Sequence, residues 1–233
     1  MSLSVQVKRL TVAGRLLVHD LAITVPDGAV HTLMGASGSG KSSLLAAICG
    51  TAPDVVRFEG QVSLGGERVD HVGTRLRRIG ILFQDDLLFA HMTVRENLLF
   101  AVPAGPKKGR EQAVRDALAD LELPGFADAD PATLSGGQRA RVALMRALLA
   151  QPRALLLDEP FSRLDAALRD RMRAYVFTTV RARGVPTLLV THDEADVADA
   201  SAVTRLPDPV SLARQEPADP MPPAAGSIAS RGA

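Results

Sequence analysis

Residues 35–42 of this 233-residue chain, Gly35-Ala36-Ser37-Gly38-Ser39-Gly40-Lys41-Ser42, have the types and spacing that a triphosphate requires. Glycines let backbone N–H groups converge on phosphate oxygens where a helix begins; Lys41 reaches toward the β- and γ-phosphates, and the Ser42 hydroxyl can ligate Mg2+. The pattern alone leaves kinase, GTPase and motor open. A second group closes the apolar run Leu155-Leu156-Leu157 with Asp158-Glu159. A buried strand there would deliver Asp158 beside the phosphate loop to hold the metal, with Glu159 next to it to polarise attacking water. Asp158-Glu159-Pro160 also reads as a simple helix opening, so the pair gains meaning only beside the loop. The third group is Ser135-Gly136-Gly137-Gln138. Ser135 suits a helix cap, but two successive glycines give up packing where a helix starts. Close backbone approach to an anion accounts for both, with Ser135 and the Gly137 N–H as donors at a positive helix end suited to a γ-phosphate.

The elements that must hold these groups are readable from periodicity. Residues 3–33 form short β segments broken at Pro26-Asp27-Gly28, and residues 56–70 a hairpin turned at Gly65-Gly66, which together predict an antiparallel layer. Val30 to Met34 is an apolar run entering the glycine loop, and Ser42 to Ile48 is helical with Gly50 as its cap. From about residue 84 to 140 the texture turns helical: Val114, Ala117, Leu118 and Leu121 fall at i, i+3, i+4, i+7, and Pro124 stops that helix. A helical lobe is expected there, inserted into the core. Arg139 to Ala150 predicts another helix closed by Pro152, and Ala154 to Leu157 and Thr187 to Val190 predict buried strands that resume a parallel core. Six of the fifteen prolines fall within residues 207–233, so that tail is expected to be disordered, leaving residues 1–206 as the nucleotide-binding domain.

Composition bounds the partners. A chain that is 46% apolar has ample core, and 27 basic against 26 acidic residues, net +1, give no electrostatic reason for a nucleic acid or anionic-membrane partner. Arg75, Arg77 and Arg78 are expected to form a solvated face. Cys49, the single cysteine, lies in an apolar stretch and is expected to pack rather than react. With no leader after Met1-Ser2-Leu3 and no internal disulfide possible, a reducing cytoplasm is expected. No window offers the ~20 uncharged apolar residues of a membrane span. Membrane contact is therefore expected through a partner.

These motifs together resemble the ATP-binding subunits of ABC transporters, whose Leu-Ser-Gly-Gly-Gln signature stands unchanged at 134–138. The resemblance covers residues 3 to about 206 and implies an α/β fold: a P-loop NTPase (RecA-like) core with an antiparallel β layer and an inserted α-helical lobe. It implies that Gln84, in Phe83-Gln84-Asp85, touches Mg2+ and senses the membrane partner. Asp165, in Ser162-Arg163-Leu164-Asp165, matches the loop that follows the catalytic carboxylate, and His192 the switch histidine contacting the γ-phosphate. Leu88-Phe89 and the run His91 to Asn97 resemble importer-type subunits, and residues 79–88 and 130–165 resemble the YnjD-like branch. In one respect the chain departs from the family pattern: Val12 stands where an aromatic usually stacks on adenine. Losing that stacking would cost about 1–3 kcal/mol if nucleic-acid values transfer.

The resemblance implies ATP and Mg2+ as ligands and a head-to-tail pair of subunits, with each ATP held between Gly35 to Ser43 of one copy and Ser135 to Gln138 of the other. Glu159 is then the general base or water-orienter, His192 and Lys41 stabilise transferred charge, and Ser42, with Gln84 and Asp158 through water, holds the metal. The expected setting is the inner face of the cell membrane, bound to integral-membrane permease subunits and linked indirectly to a periplasmic or extracellular solute-binding protein. A solute importer is the reading. Alternatives are an exporter subunit or a soluble ABC-type ATPase; DNA-maintenance members, which separate the two motifs with long coiled coil, are disfavoured by the interval of about 90 residues between Ser42 and Ser135, and translation-type members, which usually carry two cassettes, by the single one here. The signature and His192 disfavour a generic kinase or GTPase, and intact Lys41, Asp158, Glu159 and His192 disfavour a non-hydrolysing module. The sequence ends too early for the extra C-terminal regulatory domain that some importers attach, so no such control is expected.

Overall fold

The computed structural model describes residues 1–207, so the tail expected to be disordered lies outside the described residues apart from Pro207. The chain begins with β1 (Leu3–Val12), β2 (Arg15–Val25), β3 (Val30–Met34) and α1 (Lys41–Cys49). It continues with β4 (Val56–Leu64), β5 (Glu67–Arg68), α2 (Thr74–Arg77), β6 (Ile79–Leu82), α3 (Val94–Ala101) and α4 (Lys107–Asp120). After 3-10 turns at Pro124–Phe126 and Pro131–Thr133 come α5 (Gly136–Leu149), β7 (Ala154–Asp158), α6 (Ala166–Arg183), β8 (Thr187–Val190), a 3-10 turn at Glu194–Asp196 and β9 (Val203–Arg205).

Two sheets result. The antiparallel one has the order β2-β1-β4-β5. Leu3, Val5 and Val7 point inward from β1 with Gln6 and Lys8 outward, and an irregularity between Val7 and Arg9 opposite β4 then resets the alternation so that Leu10 is buried. An extra residue in a strand flips every side chain beyond it. The second sheet is parallel, β6-β7-β8-β3-β9. β3 belongs here and not to the antiparallel layer, because its residues are covered on both faces. β7 shows why such a strand reads as unbroken apolar sequence: Leu155 and Leu157 pack toward the helical lobe, while Ala154 and Leu156 pack toward α1 and the antiparallel sheet.

α1 lies between the two sheets and is apolar all round, with Leu44, Leu45, Ala46, Ala47, Ile48 and Cys49 buried. Its C-terminus is closed as expected by Gly50, whose φ of 84° lets its N–H reach Ala46 and Ala47 carbonyls. A buried helix end leaves further carbonyls to satisfy. Arg77 does this, and the expectation of a solvated Arg75–Arg78 face fails at that residue: Arg77 is turned inward, donating to the carbonyls of Ala47 at 2.9 Å and Ile48 at 2.8 Å, with Asp70 and Val72 taking its remaining N–H groups. Cys49 is packed as expected, and burial pushes its thiol pKa up.

In the lobe Val114, Ala117, Leu118 and Leu121 are all buried, as their spacing predicts. Asn97, fully buried on α3, pins the preceding segment by accepting from the Phe89 N–H and donating to the Phe89, Met92 and Thr93 carbonyls. α5 starts three residues earlier than Arg139, because Ser135 and Gln138 form a capping box. α6 was not anticipated; its signal is Met172, Val176 and Val180 at four-residue spacing, with Asp165 as N-cap and Gly184 as C-cap. Among the described residues no helix is long and apolar enough to cross a membrane.

Candidate nucleotide-binding and hydrolysis site

β3 leads from the parallel sheet into the loop 35–40, which ends at Gly40, the N-cap of α1. Gly40 has φ 93°, and a Cβ there would stand 3.0 Å from Leu17 Cβ, so only glycine fits without displacement. A glycine cap also contributes no side chain: the cap makes no side-chain hydrogen bond, and the N–H groups of the first turn are left for an anion at the positive helix end. Lys41 arches back over the loop, donating to the Gly35 and Ala36 carbonyls, both at 2.8 Å. Burial lowers its pKa, an effect partly opposed by Glu159 and Asp158. Ser39 does not line the cavity that gathers the rest of the loop. It is fully buried and donates its N–H to the Ala36 carbonyl, a bond that closes the turn of the loop.

Asp158 ends β7 and is nearly buried. Burial raises its pKa, opposed by the Ser42 hydroxyl hydrogen bond and by Lys41, and reinforced by Glu159. Glu159 follows in the left-handed region at φ 48°, a conformation costing a non-glycine residue about 1–3 kcal/mol. Its N–H is held by the Val190 carbonyl at 2.9 Å and its carbonyl by the Ser162 hydroxyl at 2.9 Å. His192 arrives from the end of β8, in a turn fixed by Thr191 on Asp196 and Asp193, and its Nδ1 lies 3.1 Å from Glu159 Oε1. A carboxylate only accepts, so Nδ1 carries the hydrogen and Nε2 is left without it.

A cavity of about 770 Å3 gathers these groups: Gly35, Ala36, Ser37, Gly38, Gly40, Lys41, Ser42, Ser43, Gln84, Glu159 and His192 line it. Gln84, 42 positions after Ser42 in sequence (84 − 42), is thereby brought to the phosphate loop. Val12 and Leu17 form the aliphatic end of the same cavity, where the family pattern would place an aromatic. Ser135, Gly136, Gly137, Gln138 and Asp165 do not line it. The signature residues stand at the surface-facing start of α5, and Asp165 caps α6, its carboxylate accepting from the Leu168 N–H at 3.0 Å. One chain thus gathers in this cavity only part of the residues that the motifs single out.

The sequence pattern of the ABC transporter family matches residues 18–162. The chain belongs to the ABC transporter ATP-binding family. Over 188 residues it is 53% identical to the uncharacterized ABC transporter ATP-binding protein YnjD of Escherichia coli (strain K12), covering 80% of this chain and 87% of that protein. It is 41% identical to the sulfate/thiosulfate import ATP-binding protein CysA of Synechocystis sp., covering 78% of this chain and 51% of the relative. For the sn-glycerol-3-phosphate import ATP-binding protein UgpC of Paracoccus denitrificans the identity is 40%, covering 81% and 53%. The match thus spans about half the length of these two importer proteins. A solved dimeric ATP-binding cassette in a post-hydrolysis state with ADP and Pi superimposes with a TM-score of 0.74 at 27% identity, covering 88% of this chain and 94% of that one.

As an ABC ATPase this protein binds ATP and hydrolyses it. Sequence reasoning singled out the residues that this cavity gathers, and it assigned no role to the groups that hold the neighbouring segments. Arg77, Asn97 and the Asp86 carboxylate, which receives Arg139 and Arg163, take roles that no pattern in the sequence assigns to them individually.

Proposed function

We propose that this chain is the ATPase subunit of a solute importer, working as a head-to-tail pair on the cytoplasmic face of the membrane, bound to integral-membrane permease subunits. Indirect coupling to a periplasmic or extracellular solute-binding protein follows from that role. The observation that carries the paired arrangement is the division of the site: one cavity holds the phosphate loop, Gln84, Glu159 and His192, while Ser135 to Gln138, with their anion-seeking helix end, stand outside it. A second copy supplies the missing donors when its α5 faces this cavity.

The residues fit both ligands. Open first-turn amides on α1, the Lys41 ammonium and a large cavity suit a triphosphate. The Ser42 hydroxyl, the Asp158 carboxylate and the Gln84 amide oxygen are oxygen donors of the kind Mg2+ prefers. Mg2+, when bound, neutralises charge on the β- and γ-phosphate oxygens. Glu159 orients water and takes its proton at the carboxylate, and His192, tethered to Glu159 through Nδ1, offers Nε2 to the γ-phosphate. Lys41 exchanges its two loop carbonyls for phosphate oxygens.

Import is supported by the two relatives, both import ATP-binding proteins, and by the importer-like residues Leu88-Phe89 and His91 to Asn97. A cavity of about 360 Å3 between β6 and the lobe, with Leu87 and Phe100 exposed at 57% and 64%, gives an apolar seat for permease subunits next to Gln84. Purification of the tagged full chain from its own membranes, followed by identification of what co-purifies, tests this reading. Integral-membrane and solute-binding proteins are expected; recovery with ribosomes or DNA would overturn it.

A further inference from the structure

Immediately after Gln84, two carboxylates tie together segments that lie far apart in sequence. Asp86, its side chain only 12% exposed, accepts from Arg163 Nη1 at 3.0 Å and from Arg139 Nε at 3.4 Å through the same oxygen, Oδ2. Asp85 takes the other guanidinium nitrogen of Arg163 at 3.4 Å, and the Asp86 carbonyl receives Arg146 at 3.3 Å. Arg139 in turn donates to the Leu134 carbonyl at 2.6 Å, just ahead of the Ser135 cap. The backbone is close as well: a Cβ on Gly137 would lie 3.2 Å from the Arg163 carbonyl oxygen, so the first turn of α5 rests on the segment 162–165. A small pocket lined by Gln84, Asp86, Asp158, Glu159, Ser162 and Arg163 puts this cluster directly behind the catalytic carboxylates.

We propose that Asp86 is a positioning residue whose carboxylate, shared by Arg139 and Arg163, fixes the Ser135–Gln138 turn and the 162–165 segment relative to Gln84. Displacement of Gln84 by its own subunit's ligands then shifts the surface presented to the partner's nucleotide. Ionic sharing suits this work. A single carboxylate keeps two guanidinium groups at one point, and without it the two cations repel and the three segments part. The inference rests on the shared-site reading above.

The experiment uses the full chain carrying Glu159→Gln, with nucleotide binding measured on dilute protein and ATP-dependent dimerisation followed by sedimentation. Adding Asp86→Ala is expected to leave nucleotide affinity within about twofold and to weaken dimerisation by about 10-fold or more, the scale of one charged hydrogen bond. In chains with Glu159 intact, Asp86→Ala should lower kcat by about 10-fold at unchanged KM. Asp86→Asn, which keeps the shape, should behave like Asp86→Ala, Asp86→Glu should recover most activity, and Asp86→Ala with Arg163→Ala should be no worse than either alone. Full dimerisation of Asp86→Ala and Asp86→Asn, or loss of nucleotide affinity in step with melting temperature, would overturn the assignment. If the parent Glu159→Gln chain itself fails to dimerise with ATP, the shared-site reading fails instead.

Discussion

α1 and α5 both start where glycines bring backbone N–H groups to an anion-ready surface, yet they are finished differently. α1 is capped by Gly40 with no side chain on its first-turn amides, and it is buried between two sheets. α5 closes on itself: the Ser135 hydroxyl accepts from the Gln138 N–H at 3.2 Å, and the Gln138 side chain accepts from the Ser135 N–H at 2.8 Å. A helix end with free amides is completed by its ligand. One whose Ser135 and Gln138 N–H groups are held by its own side chains is stable in solvent and keeps its glycine amides for a partner. On the proposed shared site, the difference separates a binding half built into one subunit from a surface half that would act on another subunit's nucleotide.

Breaking the binding half should have the larger effects. Glu159→Gln removes the proton acceptor and should lower steady-state ATP turnover by about 100-fold or more, with nucleotide binding retained by equilibrium titration. Lys41→Ala should weaken ATP binding to the dilute monomer by about 10- to 100-fold, since charge-assisted hydrogen bonds contribute about 1.5–3 kcal/mol. Arg77→Met uncaps the far end of α1 and should cost about 1–3 kcal/mol in urea unfolding, leaving carbonyls buried without donors. Ser135→Ala, in the surface half, should cost about 1 kcal/mol of stability and leave monomer nucleotide affinity unchanged. Asp158→Asn sharpens the contrast from the other side. Burial raises the carboxyl's folded pKa, so its ionised form is disfavoured by the fold, and the nucleotide-free protein gains stability as pH falls through that folded pKa. Asn should remove this dependence and raise the neutral-pH melting temperature by about 2–4 °C, measured without nucleotide.

What could be read from residues alone follows the same division. The glycine loop, the apolar run into Asp158 and the i, i+3, i+4, i+7 pattern of α4 are local signals, and each lies where its spacing places it. Ser135 was legible as a cap because capping is a relation among four neighbouring residues. Arg77 was not: its role depends on helix α1 ending about 30 residues earlier in the chain, which no local pattern reports. The same holds for β3, whose place in the parallel sheet depends on β8 and β9, and for Asp86, whose partners lie 53 and 77 positions away. Ser39 fits the loop pattern by type, but the bend of the loop turns it inward, and only backbone geometry decides that.

The most direct measurement of the shared site is specific ATPase activity across a dilution series, with sedimentation of the same samples giving the dimer fraction. Activity per chain should fall in proportion to the dimer, and chains carrying Ser135→Arg should remain folded, monomeric and inactive at every concentration. Samples that sediment as monomer and hydrolyse ATP at the undiminished rate would contradict the account.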